Sequence, residues 1–230
     1  MSGWANGVQA KIRKLSPSAL YIHCHAHRLN LVLVDTMRSD PGMSELFDTV
    51  QQLYNFFSNS TPRHEIFVEA QKSLNQKVLE LERTVATRWF YFHRSILKVK
   101  SRFEAIVVAL DVVANGPNKD NCVDIAIGLK RRILSFRFIG CMFLAEEILA
   151  KTNCLSQQLQ SASLILSAAS SLIRSTNSDL ENMKDSEESF KCIYVNATDF
   201  VKKFDVNSAT NPDSSDENPT SMSERSKRVR

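Results

Sequence analysis

Between Glu82 and Glu104 the chain carries Arg83, Arg88, Arg94, Lys98, Lys100 and Arg102, with His93 and no acid. Trp89, Phe90, Tyr91, Phe92 and Phe103 are interleaved with them. Cations without local counter-charge attract a phosphate backbone, and an aromatic among them can stack on an unpaired base. The competing reading is a solvated helix face whose aromatic seam is core, and for every aromatic except Trp89 that reading is the stronger. Lys130, Arg131, Arg132 and Arg137 form a second acid-free cluster, and Arg225, Lys227, Arg228 and Arg230 a third.

The other group with chemical promise is His23, Cys24, His25 and His27. Zinc is usually held by two pairs of ligands, and no second C-x-x-C or H-x-x-H pair is present. On a strand, His23 and His25 would point away from Cys24, so the three could not easily share one ion. The ligand count therefore favours a Cys and His packed at a strand–helix junction over a metal site. No nucleophile with a neighbouring base stands out, and no G-x-G-x-x-G, P-loop or G-x-S-x-G occurs.

These residues need elements to hold them. The 230 residues contain only 6 Gly and 6 Pro, which argues against many short strands joined by turns and for long helices. Asn6 to Leu15 reads as a short helix, Leu20 to Cys24 as a brief strand, and Arg28 to Met37 as a helix. From there the apolar period is helical. Leu46, Phe47, Val50, Leu53, Tyr54 and Phe57 share one face, and Thr61-Pro62 supplies an N-cap and first-turn proline for the next helix. Trp89, Phe92, Ile96, Val99, Phe103, Ile106, Leu110 and Val113 alternate by three and four, a heptad-like seam in one helix from Thr87 to Ala114. Asn115-Gly116-Pro117 should end it, with Gly116 left-handed. Val123 to Ala150 reads as one helix, buried towards its end, with Gly140 at a close contact. Ser161 to Met183 and Ser189 to Phe204 read as two more, the last burying Phe190, Ile193, Ala197, Phe200 and Phe204. Asp205 to Arg230 reads as a disordered tail.

No apolar run is long enough to span a membrane, and the N-terminus has no signal-peptide pattern. Five scattered cysteines fit a reducing, intracellular setting, with Cys122, Cys141 and Cys154 as small buried hydrophobes.

At LYIHCHAHRLNLVLVD the sequence resembles the C-x-x-H segment of hAT-superfamily transposases, in the branch that includes domesticated zinc finger MYM-type proteins. MSGWANGVQAKIRKLSPSAL, ATRWFYFHRSILKVKSRFEAIV and LAEEILAKTNCLSQQLQ resemble further segments in the same order, covering nearly the whole chain. The resemblance implies a mainly α chain: residues 1–40 a partial RNase H-like α/β edge with one short strand, 41–204 an all-helical insertion domain, and 205–230 a linker or tail. It places Cys24 and His27 at the C-x-x-H positions and Arg88 and Trp89 at the R-W positions, where the family's Trp lies beside a flipped base. Arg94, Lys98, Lys100 and Arg102 would extend that DNA contact. The family's Asp, Asp and Glu, which hold two Mg2+ or Mn2+ ions, have no counterpart at matching positions. The expectation is a fragment, misplaced start or decayed copy: nuclear, DNA-associated, without cofactor and not an enzyme by itself. The alternative is a domesticated helical scaffold with no DNA role, in which the Trp89-to-Val113 seam pairs with a protein partner; self-association is a further expectation.

Overall fold

A computed structural model of the chain describes residues 5–21, 24–84, 89–116, 121–161 and 163–204. Among them are ten helices and no strand: α1 (Val8–Leu15), α2 (His25–Ser39), α3 (Pro41–Ser58), α4 (Thr61–Ser73), α5 (Trp89–Ser101), α6 (Phe103–Ala114), α7 (Asn121–Ile133), α8 (Phe136–Leu159), α9 (Leu166–Asp185) and α10 (Glu187–Lys202). The mainly α expectation holds. The strand expected at Leu20 to Cys24 is not formed at Leu20, Tyr21 or Cys24, and Ile22 and His23 lie outside the described residues. Cys24 instead occupies the N-cap position of α2, without a side-chain capping bond, and the helix starts three residues before the expected Arg28. The tail 205–230 also lies outside the described residues. No described helix is long and apolar enough to cross a membrane.

The core forms where the helical stripes converge. α8 is its axis, packing against α2, α3, α5, α7, α9 and α10 and burying Phe138, Ile139, Met142, Ala145 and Leu149. Contrary to the expectation of one helix from Val123 to Ala150, α8 is separate from α7. Leu134-Ser135 breaks the run, and the Ser135 hydroxyl caps α8 by accepting from the Phe138 amide at 3.2 Å. The turn from α2 to α3 takes one residue, Asp40, whose carboxylate accepts from the Met43 amide at 2.8 Å ahead of Pro41. Gly42 fits there because an added Cβ would sit 3.0 Å from Cys141 Sγ on α8 and 3.2 Å from Asp40 Oδ1. Gly140 has no such neighbour, its nearest side-chain atom being 4.0 Å away, so the close approach is at Gly42 instead.

The seam is core, in two pieces rather than one. Phe92, Ile96, Val99, Phe103, Ile106 and Leu110 are all buried, but Arg102 leaves helical geometry and divides α5 from α6. The guanidinium of Arg102 turns aside to donate to Gln71 Oε1 at 3.1 Å and to the Lys77 carbonyl at 2.8 Å. Gln71 is in the last turn of α4, and Lys77 belongs to the irregular strap that follows it, from Leu74 to Thr84. Asn75, with φ of 53°, turns the chain out of α4 just after the Leu74 C-cap. Gln71, fully buried, also accepts from the Leu79 amide, and Gln51 accepts from the Thr84 amide at 2.9 Å. With Leu81 buried beneath them, two glutamines and an arginine satisfy backbone groups that have no helix to pair in. Gly116 is not left-handed, since no described glycine has positive φ, and Pro117 lies outside the described residues.

α10 reaches the seam through Phe200 and Phe204, whose rings lie 5.0 and 4.9 Å from that of Phe103. Ala197 is buried with them, but Phe190 points to solvent, against expectation. α1 packs against no other described helix.

Candidate nucleic-acid interface

The acid-free stretch of the sequence is not acid-free in space. The strap lays Glu82 along α5, where its Oε1 accepts from Arg94 Nη2 at 2.6 Å and Lys98 Nζ at 2.9 Å. The Ser95 hydroxyl lies between the Tyr91 carbonyl at 2.7 Å and the Glu82 carbonyl at 3.1 Å and shares its one proton between them, which brings the strap to the same helix face. Glu82 Oε2 is buried without a hydrogen-bond partner. Further along, Lys100 pairs with Glu146 of α8 and lies 4.0 Å over the ring of Phe143. Arg102 is committed to the strap, as described above. Arg94, Lys98, Lys100 and Arg102, read as uncompensated in sequence, therefore all have acceptors within the fold.

The start of α5 keeps most of the remaining positive charge. Its first turn carries no acid, Arg83 is exposed, and Arg94 keeps 47% of its side chain in solvent despite its pair. Arg88 lies outside the described residues, and so does the side chain of Trp89, whose backbone opens the helix. His93 is half-buried, and burial lowers its pKa while the nearby Glu146 carboxylate opposes that shift.

The second cluster is likewise dispersed into pairs: Lys130 with Asp111, Arg132 with Gln52 at 2.8 Å, and Arg137 with Glu45 at 3.8 Å, leaving Arg131 exposed. The third cluster, at the chain end, lies outside the described residues.

Cys24 and His27 are both exposed rather than packed at a junction. His23 lies outside the described residues, with the side chain of His25. Among the described residues no group of three or more His, Cys, Asp or Glu is placed to hold a metal. The cysteines are free thiols, and Cys154 is exposed rather than buried. Burial, reinforced by Asp40, pushes the Cys141 thiol above its ordinary pKa and makes it a poor nucleophile at neutral pH.

Sequence reasoning missed both acids of this site. Glu82 was visible as the boundary of the cationic stretch. Glu146, 46 residues from Lys100, gave no signal until α8 packed on α5. No family model matches the chain, and no solved structure matches it.

Proposed function

We propose that the chain is a hAT-transposase-like helical module that associates with DNA in the nucleus through the N-terminal end of α5. Residues 1–40 stand in this reading for a partial RNase H-like segment and 41–204 for the insertion domain. The resemblance of the four sequence segments supports that descent. The module is not a catalyst alone, because the family's three carboxylates have no counterpart at matching positions. The Mg2+ or Mn2+ they hold belongs to a full-length active relative.

One observation carries the DNA reading: Arg94 and Lys98 share a single carboxylate. Two cations on one anion leave net positive charge at a surface that also presents Arg83. A phosphate oxygen has the charge and hydrogen-bonding capacity to replace Glu82 Oε1 between them. Arg88 and Trp89 fall at the same helix end by sequence, which suits a backbone contact beside an unpaired base.

The test is anisotropy titration of a duplex and of a hairpin with unpaired bases, repeated across salt concentrations. Wild type should bind both with steep salt dependence. Arg83→Ala combined with Arg94→Ala should weaken both and flatten the salt slope by roughly one unit per cation removed. Trp89→Ala should cost about 1–3 kcal/mol on the hairpin only. Wild type that shows no salt-dependent binding to either DNA overturns the reading.

The scaffold alternative survives in a changed form. Its original surface, the seam, is buried from Phe92 to Leu110 and is not free to pair with a partner. What favours a protein-binding role is elsewhere: the exposed aromatic and aliphatic side chains of α1, α9 and α10.

A further inference from the structure

Two exposed patches on this chain are complementary in charge and both are apolar at their centres. The first is an arm formed by α1 and the residues leading into α2. Val8, Ile12 and Leu15 follow at i, i+4 and i+7, one face of α1, and Leu20, five residues further on, is exposed as well. Leu15 and Leu20 are 89% and 83% exposed, and α1 packs against no other described helix. Around them Lys11, Arg13, Lys14 and Arg28 all face solvent, and the first acid of the sequence is Asp35.

The second patch is the corner where α9 ends and α10 begins. Asp179, Glu181, Asp185, Glu187 and Glu188 are all exposed, against the two cations Lys184 and Lys191. Glu187, Phe190 and Tyr194 succeed one another at i, i+3 and i+7, so a carboxylate and two aromatics share one helix face. Phe190 is 65% exposed. Phe136, also exposed, extends the patch by an edge-to-face contact with Tyr194 at 5.5 Å.

We infer that this chain self-associates head to tail, the basic apolar arm of one copy docking on the acidic apolar α9–α10 corner of the next. Each patch supplies what the other lacks. An amphipathic helix with only cations on its flanks seeks an apolar surface rimmed by anions, and this chain presents one. Within one copy α1 touches neither α9 nor α10, so the complementarity is not spent internally. The two patches differ, so the contact is heterologous and each docked copy leaves a free arm and a free corner, which extends the assembly unless the rotation closes a ring. The interface involves neither Arg94 nor Lys98 and is independent of DNA.

Sedimentation velocity of the full chain, over a range of protein and salt concentrations, tests it. The weight-average sedimentation coefficient should rise with protein concentration and fall as salt is added. Lys11→Glu with Lys14→Glu should weaken association by about tenfold or more, as should Glu187→Lys with Glu188→Lys. Mixing the two charge-reversed proteins should restore it, since each then offers the other a complementary patch. Phe190→Ser tests the apolar centre without changing charge and should weaken association similarly. Glu65→Lys with Glu69→Lys, exposed on α4, makes the same charge change as the corner variant and should leave association intact. Unchanged helicity shows that each variant is folded. A chain that stays monomeric in low salt overturns the inference. So does association indifferent to the arm and corner variants, or a mixture that fails to recover.

Discussion

Along α5, Arg94 and Lys98 close on Glu82 and Lys100 closes on Glu146, whereas along α1 Lys11, Arg13 and Lys14 stand in solvent. The two helices look alike in sequence, each basic on its flanks and apolar along one stripe. The difference lies in what the stripe touches. Phe92, Ile96 and Val99 bury α5 against α3 and α8, and that packing carries its cationic flanks up to the strap on one side and to α8 on the other. Val8 and Ile12 keep half of their surface in solvent and Leu15 most of it, and α1 packs against no other described helix, so no described acid is brought to it by packing. Charge compensation here is a consequence of apolar packing, and a run of cations in sequence says nothing about it until the stripe's partner is known.

The sharpest way to break this comparison is to empty each stripe in turn. Ile96→Ala removes a fully buried side chain from α5 and should cost about 2–5 kcal/mol in urea unfolding. Ile12→Ala on α1 should change stability by less than about 0.5 kcal/mol, because that side chain is half in solvent already. Equal losses at the two positions would mean that α1 is packed after all, and its cations would need another explanation.

The sequence was informative wherever one periodicity governed a long stretch. The stripes of α3, α5, α6 and the second half of α10 were legible because burial selects the same face over several turns. Breaks inside periodic runs were not. Arg102 and Leu134-Ser135 interrupt helices whose apolar pattern continues across them, since the seam direction survives a turn of one or two residues. The strap was illegible for a different reason. Its order comes from Gln51, Gln71 and Arg102 bonding to its backbone, and polar side chains that satisfy a distant segment leave no period. Leu20 to Cys24 shows the opposite error: five apolar-looking residues suggested a strand, but a strand needs a neighbour to pair with, and no described segment provides one.

Glu82→Gln probes the paired half of the comparison directly. The amide keeps the shape of the carboxylate and removes its charge, so Arg94 and Lys98 lose the Glu82 anion they share while the strap keeps its other anchors. The expected loss of stability is about 1 kcal/mol or less, because Arg94 remains nearly half in solvent and water screens the pair. If phosphate competes with Glu82 for these cations, the same variant should bind duplex DNA more tightly and steepen the salt slope by roughly 1–2 units. Glu69→Gln makes the same charge change away from the site, on α4, and should do neither. Matching gains from both variants would reduce the effect to net charge alone.

The smallest expected effect concerns His93, which α5 carries half-buried beside the paired cations. Burial disfavours the imidazolium, and Glu146 only partly offsets this, so the folded pKa lies below the ordinary value of 6.5. The unfolded chain then takes up a proton that the folded chain refuses. By linkage, the stability attached to neutral His93 is fully present above the unfolded value and is lost as pH falls through the folded one. Urea midpoints should therefore decline on acidification through this window, and His93→Gln should remove that component of the decline. The carboxylate opposing burial is the one that pairs with Lys100, which ties this small effect to the larger comparison. Glu146→Gln should deepen the acid-side loss, since the imidazolium would then have burial against it and no neighbouring carboxylate in its favour. A His93→Gln variant with an unchanged slope would show that His93 is solvated. A slope of opposite sign in wild type, traced to His93, would show that Glu146 outweighs burial there.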